Sequence, residues 1–364
     1  MTPPTLPSDL AQRLLSHYDQ YGRDLPWRNQ QDLYRIWLSE IMLQQTGVKT
    51  VIPYYAAFLD HFPTLADLAA ASQEAVLAQW QGLGYYRRAR MLHRAAQQVM
   101  ADHGGHFPEQ IEHVQALPGI GPSTAAAILA IGREQPHAIL DGNVMRVLSR
   151  LVALQEPVDG TAGKKTLWQV ARQLTSTDRP GDYAQAIMDL GATICTRRQP
   201  ACDQCPWGHA CTARNQGNVT LFPQKKAKKA KPHRHQCMWV LMDDQQRLYL
   251  RQRPEEGLLG GMWEPLGEDW RPLPPQGDLV KRATEQLTKQ GITCQQRLEA
   301  MPVEHIFTHF RLTVYPILGM VTQGVKHRQD AQWWSMGELA QRPISTLHRK
   351  VINHALGLAD MALN

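Results

Sequence analysis

The chain has 364 residues, of which 43% are hydrophobic, and its formal net charge is +6. The length favours two domains or one large domain. No apolar run approaches the length of a membrane-spanning helix, and the first ten residues lack the basic-then-apolar order of a secretion signal. We therefore expect a soluble intracellular protein, and its basic character favours nucleic acid or another acidic partner.

Helical patterns dominate the first part of the chain, from Leu6 to about Ala213. Segments rich in Ala, Leu, Gln and Arg alternate there with short breaks that contain Pro and Gly. In the apolar segment 33–45, Glu40 shares a helical face with Ile36. Burial on this face favours the neutral form of the carboxyl group, and a Glu on the solvated side of the helix is the alternative interpretation.

A glycine-containing turn is predicted in the middle of this helical part. The sequence Leu117-Pro118-Gly119-Ile120-Gly121 lies between two segments of helical pattern, 109–116 and 123–131. Gly119 and Gly121 permit positive φ and a bare backbone, and N–H groups at the start of a helix favour an anion. In a basic protein we expect that anion to be a nucleic-acid phosphate, whereas an ordinary glycine turn is the alternative.

One helix later, Asp141-Gly142-Asn143 precedes another apolar helical pattern that starts at Val144. We expect Asp141 at or near the N-terminus of that helix, with its carboxylate at the surface. A phosphate-binding turn would then be followed, one helix later, by an exposed acid. An Asp that only caps the helix is the alternative interpretation.

Four cysteines cluster in one short stretch, which indicates a metal site. They are Cys195, Cys202, Cys205 and Cys211, separated by six, two and five residues. Four thiolates in a loop can enclose a zinc ion or an iron–sulfur cluster, and the spacing alone leaves both open. Basic neighbours such as Arg197 and Arg198 suit a loop that faces DNA. Cys237 and Cys294 lie outside the cluster, and we expect ordinary thiols there.

A basic stretch ends the helical part. No acidic residue occurs between Gln204 and Met242, and Lys and Arg are frequent within 225–234, where Lys228 and Lys229 are two of the lysines. Such a run is typical of a solvated linker, and it is also suited to lie along DNA phosphates. The two interpretations are compatible.

The pattern changes after this linker, because alternating and β-branched apolar residues replace the helical spacing. The predicted elements are the strands 237–242 and 248–250 of a β-hairpin, a strand at 312–315, and helices at 279–290 and 337–356. An α+β domain is therefore predicted to follow an all-α domain.

Together these motifs resemble the helix-hairpin-helix DNA glycosylase superfamily and, within it, the adenine DNA glycosylase (MutY) family. Besides the cysteine spacing and the LPGIG turn, the resemblance is carried by RDLPWR at 23–28, SEIMLQQT at 39–46, GLGYYRRAR at 82–90 and LDGNVMRVLSR at 140–150. It implies an all-α glycosylase domain over 1–224 with a [4Fe–4S] loop at 195–211, a basic linker over 225–234, and an α+β Nudix-like domain over 235–364. The family removes adenine mispaired with 8-oxoguanine from double-stranded DNA.

The resemblance implies roles for four residues in the chemistry. Glu40 would be the general acid that protonates adenine at N7, and Asp141 the carboxylate that stabilises an oxocarbenium-like sugar. Asn143 would orient Asp141 or touch the DNA backbone. Ser123 stands where bifunctional relatives have a lysine that forms a Schiff base, so water is the expected nucleophile and strand cleavage is expected to be weak or absent.

Other residues match the family's DNA contacts. Tyr85, beside Leu83, is expected to wedge into the base stack when adenine flips out, with Gln45 and Thr46 near the opposite base. A turn followed by an aromatic core pair is the alternative for the GLGYY motif. The remaining candidates are Arg23, Leu25, Trp27, Arg28 and Gln185 for the adenine pocket, Arg87, Arg88 and Arg90 for phosphates, and Phe307, Thr308 and His309 for the 8-oxoguanine loop.

The second domain is predicted to recognise a base and not to hydrolyse nucleotides. The family usually has Phe-Ser-His at the 8-oxoguanine loop, and Thr308 keeps the hydroxyl group. The segment 260–264 resembles the start of a Nudix-like motif. The carboxylate cluster expected downstream is replaced by 281–286, in which Glu285 is the single acid. Magnesium-dependent pyrophosphate chemistry is therefore not expected.

The sequence thus predicts a monofunctional adenine DNA glycosylase that acts opposite 8-oxoguanine and also opposite G or C. We expect a monomer in a cytoplasm of bacterial type, associated with the nucleoid. An endonuclease III-type glycosylase/lyase for oxidised pyrimidines is the first alternative, and Ser123 argues against it. A non-catalytic DNA-binding or redox protein and a nucleotide pyrophosphohydrolase are the others.

Overall fold

The computed structural model describes residues 6–227, 230–323, 325 and 328–357, apart from the side chains of 296–298. Lys228 and Lys229 of the predicted linker and the end of the predicted second domain, 358–364, lie outside the described residues. The chain forms two compact units, which are Met1–Ala70 with Met91–Lys228, and Ala71–Arg90 with Lys229–Asn364. Among the described residues, no helix combines the length and the apolar character needed to cross a membrane.

The first part of the chain is helical, as the sequence predicts. Its helices are α1 Leu10–Tyr21, α2 Leu33–Leu43, α3 Val48–His61, α4 Leu65–Ala70, α5 Gln73–Gln79, α6 Arg87–Asp102, α7 Ile111–Ala116, α8 Pro122–Arg133, α9 Gly142–Leu151, α10 Thr161–Leu174, α11 Pro180–Asp189 and α12 Thr212–Asn215. No strand occurs among residues 6–227. The predicted turn at 117–121 joins α7 to α8, so the expected helix-hairpin-helix element is present.

Helix α8 lies in the core of the first unit. Its residues Ala125 to Ala130 are all buried, because they are small or apolar and the helix contacts α2 and α11. Both contacts are close. A Cβ atom at Gly132 would collide with the side chain of Leu33, and one at Gly181 would come within 2.8 Å of the Ala130 carbonyl oxygen. The absence of a side chain at these two glycines therefore lets three helices pack tightly behind the predicted turn.

The second unit contains a seven-stranded sheet. Its elements are β1 His233–Met242, β2 Leu248–Gln252, β3 Trp263–Gly267, α13 Leu279–Lys289, β4 Thr293–Glu299, β5 Val303–Ile306, β6 Arg311–Gln323, β7 Ala331–Trp334, α14 Met336–Ala340 and α15 Thr346–Ala355. The strand order is β4-β6-β1-β3-β2-β7, with β5 paired to β6. Strands β1 and β6 pair in parallel and the other neighbours are antiparallel.

Strand β1 is apolar along most of its length because helices cover both faces of the sheet. Met238 and Val240 belong to the hydrophobic cluster that includes α15, whereas Cys237 and Trp239 belong to the cluster that includes α13. Successive side chains of a strand point to opposite faces, so this division follows from the sequence. The predicted α+β character is therefore confirmed.

The structure confirms the predicted hairpin, whereas it divides one of the predicted helices. The hairpin of β1 and β2 pairs as expected, with Met242 opposite Leu248. The helix predicted over 337–356 is instead two helices, α14 and α15, separated by a segment that contains Pro343. Proline cannot donate the backbone hydrogen bond that a continuous helix needs, and Ser345 caps α15 by accepting from the His348 N–H.

Candidate active site

Glu40 lies in the last part of α2, where its surroundings favour a neutral carboxyl group. Burial, followed by the charge of the nearby Asp141, raises the pKa of Glu40 to about 7, against the opposing charge of Arg28. Two carboxyl groups from separate helices therefore interact electrostatically in the first unit. A carboxylic acid that titrates near neutrality is suited to donate a proton.

Asp141 is the N-cap of α9, as predicted, and its Oδ1 atom accepts a hydrogen bond of 2.7 Å from the Val144 N–H. The expectation of an acid fully at the surface is wrong, because Asp141 is half-buried. Burial raises the pKa of Asp141, while the N–H groups of Val144 and Asn143 and the charge of Arg146 lower it. Burial thus favours the neutral form of the Asp141 carboxyl group, whereas the N–H donors at the helix N-terminus favour its charged form.

Arg146, one turn further along α9, connects the start of that helix to the cysteine loop. Its guanidinium donates to the Oδ1 atom of Asn143 at 2.9 Å, to the Gly191 carbonyl at 2.7 Å and to the Cys195 carbonyl at 2.8 Å. No local pattern in the sequence singles out Arg146. Asn143 is therefore oriented by a neighbour on its own helix, and no hydrogen bond is described between its side chain and Asp141.

A second residue that sequence reasoning missed is Asp189, at the end of α11. Its carboxylate accepts hydrogen bonds from Arg28 at 2.8 and 2.6 Å and from Arg23 at 2.8 Å. Both arginines were predicted from the RDLPWR motif, and their shared acceptor lies more than 160 residues away in sequence. The pair of arginines is therefore held in place by one buried carboxylate.

The other residues of the predicted adenine pocket differ in exposure. Leu25 and Trp27 are buried, and the Trp27 ring packs edge-on against Tyr55 with centroids 5.4 Å apart. Gln185 is half-buried on α11. Because Trp27 is already packed in the core, it has a structural role whether or not it also touches a base.

The turn between α7 and α8 has the backbone that its glycines predict. Gly119 adopts φ 80°, and a Cβ atom there would come within 2.7 Å of the Met91 Cβ. Gly121 is the exposed N-cap of α8 and has no neighbour that a Cβ atom would meet. Ser123, in the first turn of α8, accepts a hydrogen bond of 2.9 Å from the Leu140 N–H, so it holds the chain next to Asp141.

The four clustered cysteines line one cavity of the first unit together with Arg150 and Trp207. Among the described residues, no set of three His, Cys, Asp or Glu side chains is grouped closely enough for a single metal ion. Four thiols that line one common apolar cavity suit a site for a metal group, and the cavity leaves both zinc and an iron–sulfur cluster open. The buried Arg150 donates to the Cys195 sulfur at 3.3 Å and to the Thr196 carbonyl at 2.6 Å.

Two candidates for contact with stacked bases have unusual backbones. Gln45 of the first unit adopts φ 62° and Tyr85 of the second unit adopts φ 51°, and both side chains are exposed. Left-handed conformations are costly for residues other than glycine and occur often at functional sites. Thr46 is half-buried and Leu83 is buried, so Leu83 supports the turn of Tyr85 from within.

The three arginines after Tyr85 do not share one role. Arg87 is exposed, but Arg88 and Arg90 are buried and donate to backbone carbonyls. Arg88 bonds to Gly84 at 3.1 Å, and Arg90 bonds to Gly260 at 2.7 Å. We therefore withdraw Arg88 and Arg90 as phosphate contacts, because their guanidinium groups already bind protein oxygens.

The predicted 8-oxoguanine loop connects β5 to β6 in the second unit. The Phe307 N–H donates to the Phe310 carbonyl at 2.9 Å, which closes the turn, and Lys231 donates to the Phe307 carbonyl at 2.8 Å. The Phe307 and Phe310 rings pack with centroids 4.8 Å apart. Thr308 and His309 are exposed at the tip of this turn. Elsewhere in this unit, on α13, Glu285 is exposed and no second acid accompanies it within 281–286.

Three family models match separate parts of the chain. Residues 38–173 match the HhH-GPD superfamily of base excision DNA repair proteins, 195–211 match the iron–sulfur binding domain of endonuclease III, and 237–354 match a NUDIX domain. The iron–sulfur match coincides with the four cysteines. The predicted [4Fe–4S] cofactor and the two fold types are therefore confirmed.

The chain is similar to adenine DNA glycosylases along most of its length. It is 36% identical to that of Homo sapiens over 93% of this chain and 72% of the relative. It is 33% identical to that of Buchnera aphidicola from Acyrthosiphon pisum, covering 90% of this chain and 91% of the relative.

Solved structures resemble the helical part. A thermostable thymine-DNA glycosylase superposes with a TM-score of 0.51 and 27% identity, covering 57% of this chain and 95% of that one. A trapped endonuclease III–DNA covalent intermediate superposes with a TM-score of 0.50 and 17% identity, covering 58% and 99%. The second likeness supports the fold alone.

Proposed function

Since the chain belongs to the adenine DNA glycosylase family of base excision repair, we propose that it flips adenine out of a pair with 8-oxoguanine and releases it by hydrolysis, without cutting the strand. The observation that carries this mechanism is the pair of Glu40 and Asp141. They interact electrostatically and burial raises the pKa of both, but only Asp141 has backbone N–H groups and an arginine that support its charged form, and only Glu40 reaches a pKa of about 7.

In this mechanism Glu40 is the general acid. Because its pKa is about 7, a large fraction is protonated at neutral pH and can donate to adenine as the base departs. Leaving of the base builds positive charge on the sugar. Asp141, whose charged form is supported by the N-terminus of α9, stabilises that charge. Arg28 tempers the pKa of Glu40 and is itself held by Asp189.

Water is the nucleophile in our proposal. Ser123 presents a hydroxyl group that is occupied by the Leu140 N–H, and it offers no amine for a Schiff base at that position. Endonuclease III-type lyase chemistry would need another lysine to reach the sugar. Borohydride trapping separates the two cases, because a covalent protein–DNA complex would establish lyase activity.

We further propose that Thr308 and His309, exposed at the turn before β6, contact 8-oxoguanine, while Tyr85 and Gln45 enter the base stack. Support comes from exposure and from the left-handed backbone of the last two residues. The family membership supports double-stranded DNA as the partner. We propose that the protein acts as a monomer on the DNA of a bacterial-type nucleoid.

The decisive experiment is single-turnover release of adenine from two duplexes, one with A opposite 8-oxoguanine and one with A opposite T. We expect rapid release from the first duplex only. In Glu40→Gln we expect a loss of about 100-fold to 10,000-fold, the usual contribution of a general acid. Unchanged release by Glu40→Gln would remove Glu40 as the acid. Equal release from both duplexes, or from neither, would contradict the proposed substrate.

A further inference from the structure

The turn that carries Tyr85 is braced by the sheet of the second unit. This turn, which we call the wedge turn, comprises residues 82–85. Helix α5 precedes it, and Glu74 on that helix receives two hydrogen bonds at the same oxygen, Oε1. One comes from the Trp263 indole N–H at 2.9 Å and the other from the Arg342 guanidinium at 3.0 Å. Both donors belong to the sheet part of the unit.

Arg342 and Trp263 are themselves fixed by aromatic packing. The Arg342 guanidinium lies 4.1 Å from the centroid of the Trp334 ring, and the Trp263 ring packs edge-on against Trp334 with centroids 5.1 Å apart. Glu74 therefore accepts hydrogen bonds from two side chains that both pack against the Trp334 ring. These contacts restrict the movement of α5 relative to the sheet.

Further contacts hold the wedge turn from both ends. Before it, the Gln81 side-chain oxygen accepts from the Ile344 N–H at 3.1 Å. After it, Arg90 donates to the carbonyls of Gly260 at 2.7 Å and Gly257 at 2.9 Å. The wedge turn is thus anchored on one side to the segment between α14 and α15, and on the other side to the loop before β3.

Hydrogen bonds and a cation–π contact within residues 80–88 connect the anchored ends of the turn to Tyr85. The Trp80 indole N–H and the Arg88 guanidinium both donate to the Gly84 carbonyl at 3.1 Å, and the Arg88 guanidinium also lies 5.4 Å from the Tyr85 ring centroid. Tyr85 keeps its φ of 51°, a conformation that persists only where the surroundings determine it.

We infer that Glu74 is a positioning residue, through which the sheet domain fixes the wedge turn so that Tyr85 enters the DNA stack when adenine is everted. This inference rests on the proposed function. It assigns the sheet domain a second role, besides reading the opposite base. It requires that loss of the Glu74 contacts slow eversion while the acid–base chemistry of Glu40 and Asp141 stays intact.

The test compares Glu74→Ala with Glu74→Gln in the full-length, cluster-loaded protein. The glutamine keeps an oxygen that can accept from Trp263 but loses the charge that pairs with Arg342, so we expect partial rescue. Eversion is followed by the fluorescence of 2-aminopurine placed beside the target adenine. We expect about a tenfold slower eversion in Glu74→Ala, which corresponds to one charge-assisted hydrogen bond. The control is Glu112→Ala, which removes an exposed glutamate from α7.

A double-mutant cycle with Tyr85→Ala distinguishes positioning from general loosening. If Glu74 acts through Tyr85, then Glu74→Ala should slow eversion no further when Tyr85 is already alanine. Additive effects would overturn the inference. Eversion by Glu74→Ala at the wild-type rate would overturn it as well.

A readout without DNA keeps the inference separate from the proposed function. Hydrogen exchange of the amides of 82–86 should be faster in Glu74→Ala than in wild type, and unchanged in Glu112→Ala. If wild type releases no adenine, the proposed function fails and the exchange result alone decides whether Glu74 fixes the turn. Should Glu74→Ala fail to fold, Trp263→Phe keeps an aromatic ring against Trp334 and removes the N–H donor to Glu74. The same exchange increase is expected from it, and its absence would overturn the inference.

Discussion

At the scale of single residues, the properties of Glu40 and Arg28 depend on partners that are distant in sequence. Glu40 titrates near neutrality because α2 buries it and Asp141 lies nearby. The Arg28 guanidinium is accommodated in the interior because Asp189 accepts its hydrogen bonds with both carboxylate oxygens. If they were exposed to water, Glu40 would not have a raised pKa and Arg28 would not need a protein carboxylate as its partner.

The pKa of Glu40 predicts the pH dependence of adenine release. The active form is the protonated one, and its raised pKa means that this form is present below about pH 7 and is lost as the pH rises through that value. We expect kcat/KM to fall about tenfold per pH unit above this point. The pH dependence of kcat/KM is measured from single-turnover rates over pH 5 to 9, with enzyme in excess of the DNA but below saturation. A rate that stays constant to pH 9 would contradict the assignment.

Replacing Asp189 tests the buried ion pair. In Asp189→Asn the Arg28 guanidinium, of which 6% is exposed, loses its counter-charge. We expect a loss of about 3–5 kcal/mol in the free energy of unfolding. Asp19 makes a similar two-bond contact with Arg179 at the surface, so Asp19→Asn is the matched control, with an expected loss of at most about 1 kcal/mol. Urea denaturation compares the two, and equal losses would contradict the prediction.

At the scale of secondary-structure elements, the segment from α7 to α9 places the glycine turn, for which we propose DNA binding, and Asp141 on one scaffold. The turn precedes α8, α8 is fixed in the core by close contacts with α2 and α11, and Ser123 ties the start of α8 to Leu140. The position of Asp141 relative to Gly119 is therefore determined by a buried helix and not by a mobile loop.

Substitution at Gly119 is expected to disturb this scaffold. Gly119→Ala places a side chain at φ 80°, and its Cβ atom would lie 2.7 Å from the Met91 Cβ. We expect a destabilisation of about 1–3 kcal/mol, because both the backbone and the packing are strained. Gly142→Ala is the control, since no neighbour lies within 4 Å of its added Cβ atom. Thermal unfolding of the two variants decides, and an unchanged Tm in Gly119→Ala would show that the turn relaxes freely.

At the scale of the whole molecule, the boundary between compact units does not follow chain order. Residues 71–90 lie within the helical part of the sequence, but their contacts assign them to the sheet-containing unit. The bonds of Glu74, Gln81 and Arg90 with that unit account for this.

This division predicts which segments unfold together. In native-state hydrogen exchange at increasing urea, we expect α5 to lose protection with β3, because Glu74 and Trp263 are bonded directly. Helix α4 ends only three residues before α5 begins, but it belongs to the first unit and should lose protection with α8. If α5 instead follows α4 and α8, the contacts with the sheet do not set its stability.

The sequence by itself determined the all-α and α+β parts, the hairpin turn, the cysteine cluster and the family. These features depend on local patterns, since helical spacing, glycine in turns and the spacing of cysteines are all readable within a few dozen residues. Where a local signal was overlooked, as with Pro343 between α14 and α15, the error remained confined to one element.

Only the tertiary structure decided which charged groups are buried and what they touch. The sequence pattern predicted that Asp141 starts a helix but not how deeply it is buried. The pattern also selected Arg90 without indicating its hydrogen bond to Gly260. Asp189 was not predicted at all. Burial and hydrogen bonding depend on segments that fold against a residue from far along the chain. The charge state of Glu40 and the bracing of Tyr85 arise from such contacts, so no pattern within one segment could have specified them.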